Sequence, residues 1–194
     1  HGTDTMSYSA AALSFQLPEI SNPVIFTGSQ RSPDRPSSDA HLNLEGAAKA
    51  AMSDLGEISI AMHETTDDLN VAIWRGNRTR KNHSSKRDAF TSLNDEPIGI
   101  VSDKIEWKGK YRPVCEKTVL KPGFDEKIAM IWAHPGFNPE DWESITSSKK
   151  GVVIAGTGLG HINSNLLESI GKTAKDMPVA MSTQCLAGTT NLNV

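Results

Sequence analysis

The sequence predicts an α/β protein with parallel sheets, and three observations predict it. Strand-like and helix-like segments alternate along the whole chain. The strand-like segments are short unbroken apolar runs, such as Val24-Ile25-Phe26 within residues 22–27. That pattern suits a strand covered by helices on both faces. A second strand–helix–strand series starts afresh beyond a stretch carrying Pro122 and Gly123. The chain therefore divides into residues 1–115, a linker at 116–125, and residues 126–194.

The elements follow in order. Met6, Ala10, Leu13 and Leu17 fall on one helical stripe, and Pro18 stops that helix. Thr3, Asp4 or Thr5 can cap its start, because a short side-chain oxygen satisfies the free amides of a first turn. A strand at 22–27 leads into a long polar loop, residues 28–39. A second helix places Leu44, Ala48, Ala51, Met52 and Leu55 on one face, and Gly56 ends it. Residues 57–62 and 69–74 read as strands around a turn at 64–68. Residues 75–87 read as a basic polar loop and 97–101 as a strand. Residues 104–114 read as a small hairpin turning at Lys108-Gly109-Lys110. Beyond the linker, 127–133 is a strand. Asn138-Pro139-Glu140-Asp141 is a helix start, with an Asn cap, proline first and acids in the first turn. Residues 151–155 form a strand, 156–161 a glycine-rich turn, 164–175 a helix and 178–182 a further strand.

Composition narrows the classes of function. The chain has 194 residues, is 37% hydrophobic and carries a net charge of −3; mean hydropathy is −0.38. No general basic field points to nucleic acid. No run of about 18 apolar residues could span a bilayer. Two isolated cysteines, Cys115 and Cys185, imply neither a disulfide framework nor a zinc ribbon, and a reducing compartment is the default.

Four groups of residues could carry chemistry. His1-Gly2-Thr3-Asp4-Thr5-Met6 packs a hydroxyl and a carboxylate at a strand end, where open α/β sheets bind ligands. A threonine attacks only if a base takes its proton. The other reading of the same residues is a helix cap. The loop from Arg78 to Arg87 is either a solvated basic loop or a phosphate-binding patch, although it lacks aromatics for stacking bases. It gains interest if one lysine is buried beside Thr3, where desolvation favours the neutral amine. The turn Gly156-Thr157-Gly158-Leu159-Gly160-His161 misses the dinucleotide fingerprint, because His161 stands where the third glycine belongs. The six histidines show no paired metal-ligand spacing and read as surface or loop residues. Cys185 reads as a small buried hydrophobe.

His1-Gly2-Thr3-Asp4-Thr5-Met6 resembles the second active-site signature of the type I/II asparaginase family. Thr27-Gly28-Ser29-Gln30-Arg31 through Asn43-Leu44 is similar to the family's next loop and helix. Lys81, in Arg80-Lys81-Asn82-His83-Ser84, falls where the family has its catalytic lysine. Gly156–Gly160 and Ser182-Thr183-Gln184-Cys185 match places in its C-terminal domain. The variants Ser29–Ala40, Ile154–His161 and Thr183–Val194 resemble the D subunits of archaeal Glu-tRNA(Gln) amidotransferases.

The resemblance implies two Rossmann-like domains of the asparaginase fold, truncated at both ends. Residues 1–115 would be the second half of the N-terminal domain and 126–194 the first part of the C-terminal one. An internal fragment is expected, lacking the nucleophilic threonine of an earlier motif and inactive by itself. The implied activity is hydrolysis of the side-chain amide of glutamine or asparagine, releasing ammonia that converts Glu-tRNA(Gln) to Gln-tRNA(Gln). Thr3, Asp4 and Lys81 are the implied catalytic residues, with Gly2, Thr3 and Asp4 on the substrate. In that arm Lys81 is held near neutral by burial, takes a proton from Thr3 or through it from water, and is oriented by Asp4. No cofactor is implied in the chain itself, since ATP and Mg belong to the partner, the E subunit of the amidotransferase. A cytoplasmic homodimer within a heterotetramer is implied. A stand-alone asparaginase or glutaminase is the alternative, and a non-catalytic interaction module is the reading outside hydrolases.

Overall fold

The computed structural model describes residues 1–193, which divide into two units, residues 1–123 and 124–193. Unit 1 holds α1 (Met6–Gln16), β1 (Val24–Phe26), α2 (Ala40–Ala51), β2 (Ile58–His63), β3 (Val71–Arg75), β4 (Arg80–Lys81), β5 (Phe90–Thr91), β6 (Gly99–Val101) and β7 (Ile105–Trp107). Five of its strands form one sheet in the order β1-β2-β3-β6-β7.

The α/β class holds, but this sheet is mixed rather than parallel. β1 and β2 run parallel, joined through α2. β2–β3, β3–β6 and β6–β7 are antiparallel. The cause is the connection length. The segment between His63 and Val71 is too short for a helical crossover, so the chain can only turn back. The last hairpin turns at residues 102–104, closed by Ser102 N–H donating to Lys104 at 3.1 Å, and not at Gly109.

Successive side chains of β2 point to opposite faces. Ile58, Ile60 and Met62 join Met6 and Ala10 of α1 in one cluster, with Ala89 and Phe90. Ala61 faces the other way, into a cluster with Ala47 and Ala50 of α2, Val71 and Ile73. α1 therefore buries the stripe its sequence shows, with Leu13 and Leu17 partly covered. α2 does not. Its buried residues are Asn43, Gly46, Ala47 and Ala50, while Leu44 and Met52 are 63% and 80% exposed. The reason is close approach: a Cβ at position 46 would lie 2.7 Å from the Cβ of Val71, so only small residues fit between helix and sheet.

Gly56 serves packing rather than helix termination, since α2 already ends at Ala51. Its N–H donates to Arg112 at 2.7 Å, and a Cβ there would overlap the backbone carbonyl of Pro113. Gly56→Ala should therefore destabilise unit 1 by about 1–3 kcal/mol, the usual cost of overpacking. An unchanged urea midpoint would show that the 112–114 segment yields freely.

Unit 2 holds β8 (Ile128–Trp132), α3 (Pro139–Thr146), β9 (Gly151–Gly156), a 3-10 turn (Ser164–Leu166), α4 (Leu167–Asp176) and β10 (Val179–Thr183). Its sheet, ordered β10-β9-β8, is parallel throughout. Asn138 caps α3 by accepting from Asp141 N–H at 2.8 Å, with Pro139 in the first turn. The expected 164–175 helix starts as the 3-10 turn. Ala129, Ile131, Val152 and Ile154 pack on Trp142 and Leu166. The alternate residues of β8, Ile128, Met130 and Trp132, are exposed, so that strand is covered on one face only. The glycine-rich turn needs its glycines, because Gly158 and Gly160 have φ of 51° and 109°.

Candidate active site

Thr5 stands at the N-cap of α1 but makes no side-chain capping bond. Thr3 and Asp4 are engaged elsewhere. Lys81 Nζ donates to Thr3 Oγ1 at 3.0 Å and to Asp4 Oδ1 at 2.7 Å, across 78 and 77 residues of sequence. The three residues that the resemblance singles out for chemistry thus form one hydrogen-bonded cluster at the start of α1.

The placement of Lys81 has a local cause. The stretch expected to be a basic loop contains the two-residue strand β4, paired antiparallel with β5. Lys81 lies opposite Phe90, and Asn82 N–H extends the pairing to Ala89 at 2.6 Å. Phe90 is fully buried in the cluster that contains Met6. Met6 belongs to the first turn of α1, two residues beyond Asp4. One apolar cluster therefore anchors both the hairpin that carries Lys81 and the helix start that carries Thr3 and Asp4.

Lys81 is largely buried, its side chain 16% exposed, whereas that of Asp4 is 92% exposed. The Lys81 ammonium, first by its hydrogen bond and then by its charge, holds the Asp4 carboxyl below the usual aspartate range. The geometry is an ion pair with lysine as donor to both neighbours. Thr3 Oγ1 lies 3.5 Å from Gln30 Oε1, the acceptor towards which its hydrogen can point. A cleft of about 610 Å3 opens alongside, lined by Gly2, Thr3, Thr27, Gly28 and Ser29 among others. Gly2 and Thr3 thus face open space that can admit a small molecule, and Asp4 stands next to them on the exposed side.

Two arginines of the Arg78–Arg87 stretch are paired with acids, Arg78 with Asp95 at 3.6 Å and Arg87 with Asp68 at 2.6 Å. Such neutralised arginines favour the solvated-loop reading over a phosphate patch. Cys185 is exposed, contrary to its expected burial, as is Cys115. Among the described residues, no group of three His, Cys, Asp or Glu could hold a metal ion. Among them, too, no helix is long and apolar enough to cross a membrane.

A second layer behind Thr3 is absent from the sequence reading. His63 lies not on the surface or in a loop but fully buried at the end of β2, and Asp39 and Asn43, at the start of α2, are fully buried too. Asp39 does not cap α2 with its side chain. Its carboxylate instead accepts from the backbone N–H of Gln30 at 3.0 Å and of Arg31 at 2.9 Å. The signal that could have found this layer is a polar residue closing an apolar strand, Ile58-Ser59-Ile60-Ala61-Met62-His63. Buried polar groups require partners, so such a residue points to a network.

Residues 1–113 match the family described as "Asparaginase, N-terminal", and residues 127–194 match the "Glutaminase/Asparaginase C-terminal domain". The D subunit of the Glutamyl-tRNA(Gln) amidotransferase of Thermoplasma acidophilum is 43% identical over 195 residues, covering all of this chain and 48% of that protein. Its counterpart in Pyrococcus furiosus is 46% identical over 200 residues, covering all of this chain and 46% of that protein. The chain therefore spans about half the length of the curated relatives it matches. Among solved structures, the thermostable L-asparaginase from Thermococcus kodakarensis superposes with a TM-score of 0.90 at 34% identity, over 99% of this chain and 58% of that one. L-asparaginase I from Vibrio cholerae gives 0.85 at 29% identity, over all of this chain and 59% of that one. With both parts matched in order along its length, the chain belongs to the asparaginase/glutaminase family.

Proposed function

We propose that the protein containing this chain hydrolyses the side-chain amide of glutamine or asparagine, and that the ammonia released serves the amidation of Glu-tRNA(Gln). The observation that carries the chemistry is the double contact of Lys81 Nζ with Thr3 Oγ1 and Asp4 Oδ1. A hydroxyl, a base and an orienting carboxylate within hydrogen-bond reach are what covalent amide hydrolysis needs. In this reading the attacking threonine is supplied from outside residues 1–194. It adds to the amide carbon, and the amide nitrogen leaves as ammonia once protonated. Water then cleaves the acyl ester, and Thr3 passes protons between that centre and Lys81. Asp4 has a second use. Besides orienting Lys81, its carboxylate can accept the α-ammonium group of the substrate. Gly2, Thr3 and Asp4 then contact the substrate, while Thr3, Asp4 and Lys81 carry out the proton transfers. This arm requires neither a metal nor an organic cofactor. ATP with Mg belongs to the E subunit, and the complex is a heterotetramer built on a homodimer in the cytoplasm.

The amidotransferase reading rests on identity, 43% and 46% to the two amidotransferase subunits against 34% and 29% to the two asparaginases. The fold likeness is equally compatible with a second reading, a stand-alone asparaginase, since the TM-score to the Thermococcus enzyme is 0.90. Ammonia release from glutamine and from asparagine separates the two. A slow basal rate that rises sharply with charged tRNA and the E subunit is expected. Fast, ungated hydrolysis of free asparagine would replace the first reading with the second.

Asp4→Asn removes the counter-charge of Lys81 and the acceptor for the substrate ammonium. The expected loss in kcat/KM is about 10²-fold, within the usual span for a group acting in proton transfer. The pH dependence has a definite sign. Because folding lowers the pKa of Asp4, its pair with Lys81 is intact above the ordinary aspartate range. It fails only as pH falls through the lowered value. Parent kcat/KM should hold down to the acid edge of that range, whereas Asp4→Asn should lack that acid limb. An identical limb in both proteins would assign it to another group.

A further inference from the structure

We propose that His63 is a positioning residue of this site: its Nδ1–H, donated to Asn43 Oδ1, fixes the side chain that holds the Gly28–Arg31 backbone against Thr3. The proposal rests on the amide-hydrolysis reading for its effect on rate, and on hydrogen-bond accounting for its geometry.

The accounting starts at Asn43. Its Nδ2 donates to Gly28 O at 2.9 Å and to Asp39 Oδ2 at 3.0 Å. Both amide hydrogens are used on acceptors that cannot donate. A flipped amide would aim its oxygen at a carbonyl and a carboxylate, so Oδ1 must face His63. The ring meets it through Nδ1 at 2.6 Å. An acceptor there requires a donor, so Nδ1 carries a hydrogen. The other ring nitrogen, Nε2, faces Asp68 Oδ1 at 3.2 Å. When the ring holds one proton, that proton stays on Nδ1. Asn43 is fully buried. Asp68 is two-thirds exposed and keeps Arg87 at 2.6 Å. Leaving a buried acceptor unpaired is the dearer choice.

From Asn43 the constraint runs to Thr3 along two short routes. Gly28 is the first. A Cβ built on it would lie 3.6 Å from Thr3 Cγ2 and 2.8 Å from Met6 Cε, so the backbone at 28 is pressed against the helix start. Asp39 is the second. It grips the N–H groups of Gln30 and Arg31, and Gln30 Oε1 is the acceptor beside Thr3 Oγ1. Arg87 closes the far end of the same loop by donating to Ser37 O at 2.6 Å. The ring does not touch the cleft-lining atoms of Thr3. It acts through Asn43, and displacements of about 1 Å in such supports can cost about 10²-fold in rate.

Two substitutions separate the arms of the ring. Asn has its amide nitrogen as many bonds from the backbone as Nδ1, and Gln as many as Nε2. His63→Asn keeps a donor towards Asn43 Oδ1, whereas His63→Gln places its donor on the Asp68 side and leaves Asn43 Oδ1 without one. In the whole protein, His63→Asn should keep kcat within about threefold, and His63→Gln should lose about tenfold or more with a smaller change in KM. Amide hydrogen exchange at Gln30 and Arg31 should rise in His63→Gln alone. Equal losses in both variants, or a larger loss in His63→Asn, would overturn the proposal. Nitrogen-15 NMR of the ring in the parent gives a readout that needs no variant to fold: a neutral ring protonated on Nε2 overturns it outright. A parent protein without amide hydrolysis would sink the functional reading, yet the exchange and NMR results would still decide whether His63 positions the loop.

Discussion

Lys81→Met in the whole protein lowers kcat/KM for amide hydrolysis by about 10²-fold or more, with the fold intact. Methionine keeps most of the length and the apolar stem of lysine, so the packing beneath it changes little. What disappears is the donor to Thr3 Oγ1 and Asp4 Oδ1. The stability effect is small, because Asp4 is exposed and a pair open to solvent contributes little. Thr3→Val, which exchanges the hydroxyl for a methyl, gives a similar loss. The double variant discriminates further. If the two residues pass one proton between them, removing both costs little more than removing either. Losses that multiply would mean that Thr3 and Lys81 act at separate steps. Activity of either single variant within about tenfold of the parent would remove that residue from the mechanism.

How much of this was legible in the sequence depends on how each residue is held. His1–Met6 was legible as a cluster of small polar groups, but whether it capped a helix or met a partner turned on contacts 77 and 78 residues away. No local pattern encodes such contacts. Lys81 was legible only through family resemblance. Its strand is two residues long, too short for alternation to show, and the apolar anchor, Phe90, lies on the facing strand. The α2 face was misread because hydropathy marks large residues, and this helix packs with its smallest ones. Leu44 and Met52 are exposed, while Gly46 and Ala47 are buried against the sheet. The mixed pairing of the first sheet was hidden for a related reason. Buried antiparallel strands such as β2 and β3 are as unbroken in hydropathy as parallel ones. The site's second layer went unseen because His63, Asn43 and Asp39 are polar and separated in sequence. Their meaning lies in the donor and acceptor counts that only coordinates supply.

The largest stability effect expected in unit 2 is that of Trp142→Ala. Trp142 is 1% exposed at the centre of the cluster formed by Ala129, Ile131, Val152, Ile154 and Leu166. Its indole Nε1 donates to Thr173 Oγ1 at 2.9 Å, which ties α3 to α4. α4 has no fully buried residue of its own. Its attachment therefore depends on this bond and on partly buried side chains such as Ile170. Truncating a buried tryptophan costs about 3–5 kcal/mol. That is a large share of the about 5–15 kcal/mol that holds a typical domain folded. Hydrogen exchange should rise throughout β8, β9 and β10 and stay unchanged across β2 and β3, since the two units carry separate cores. Trp142→Phe separates the contributions. It keeps most of the ring volume and loses the donor, so it should cost little more than the roughly 1 kcal/mol of one hydrogen bond. A Phe variant as damaged as the Ala variant would mean that the bond to Thr173, more than the filled volume, holds α4 to the sheet.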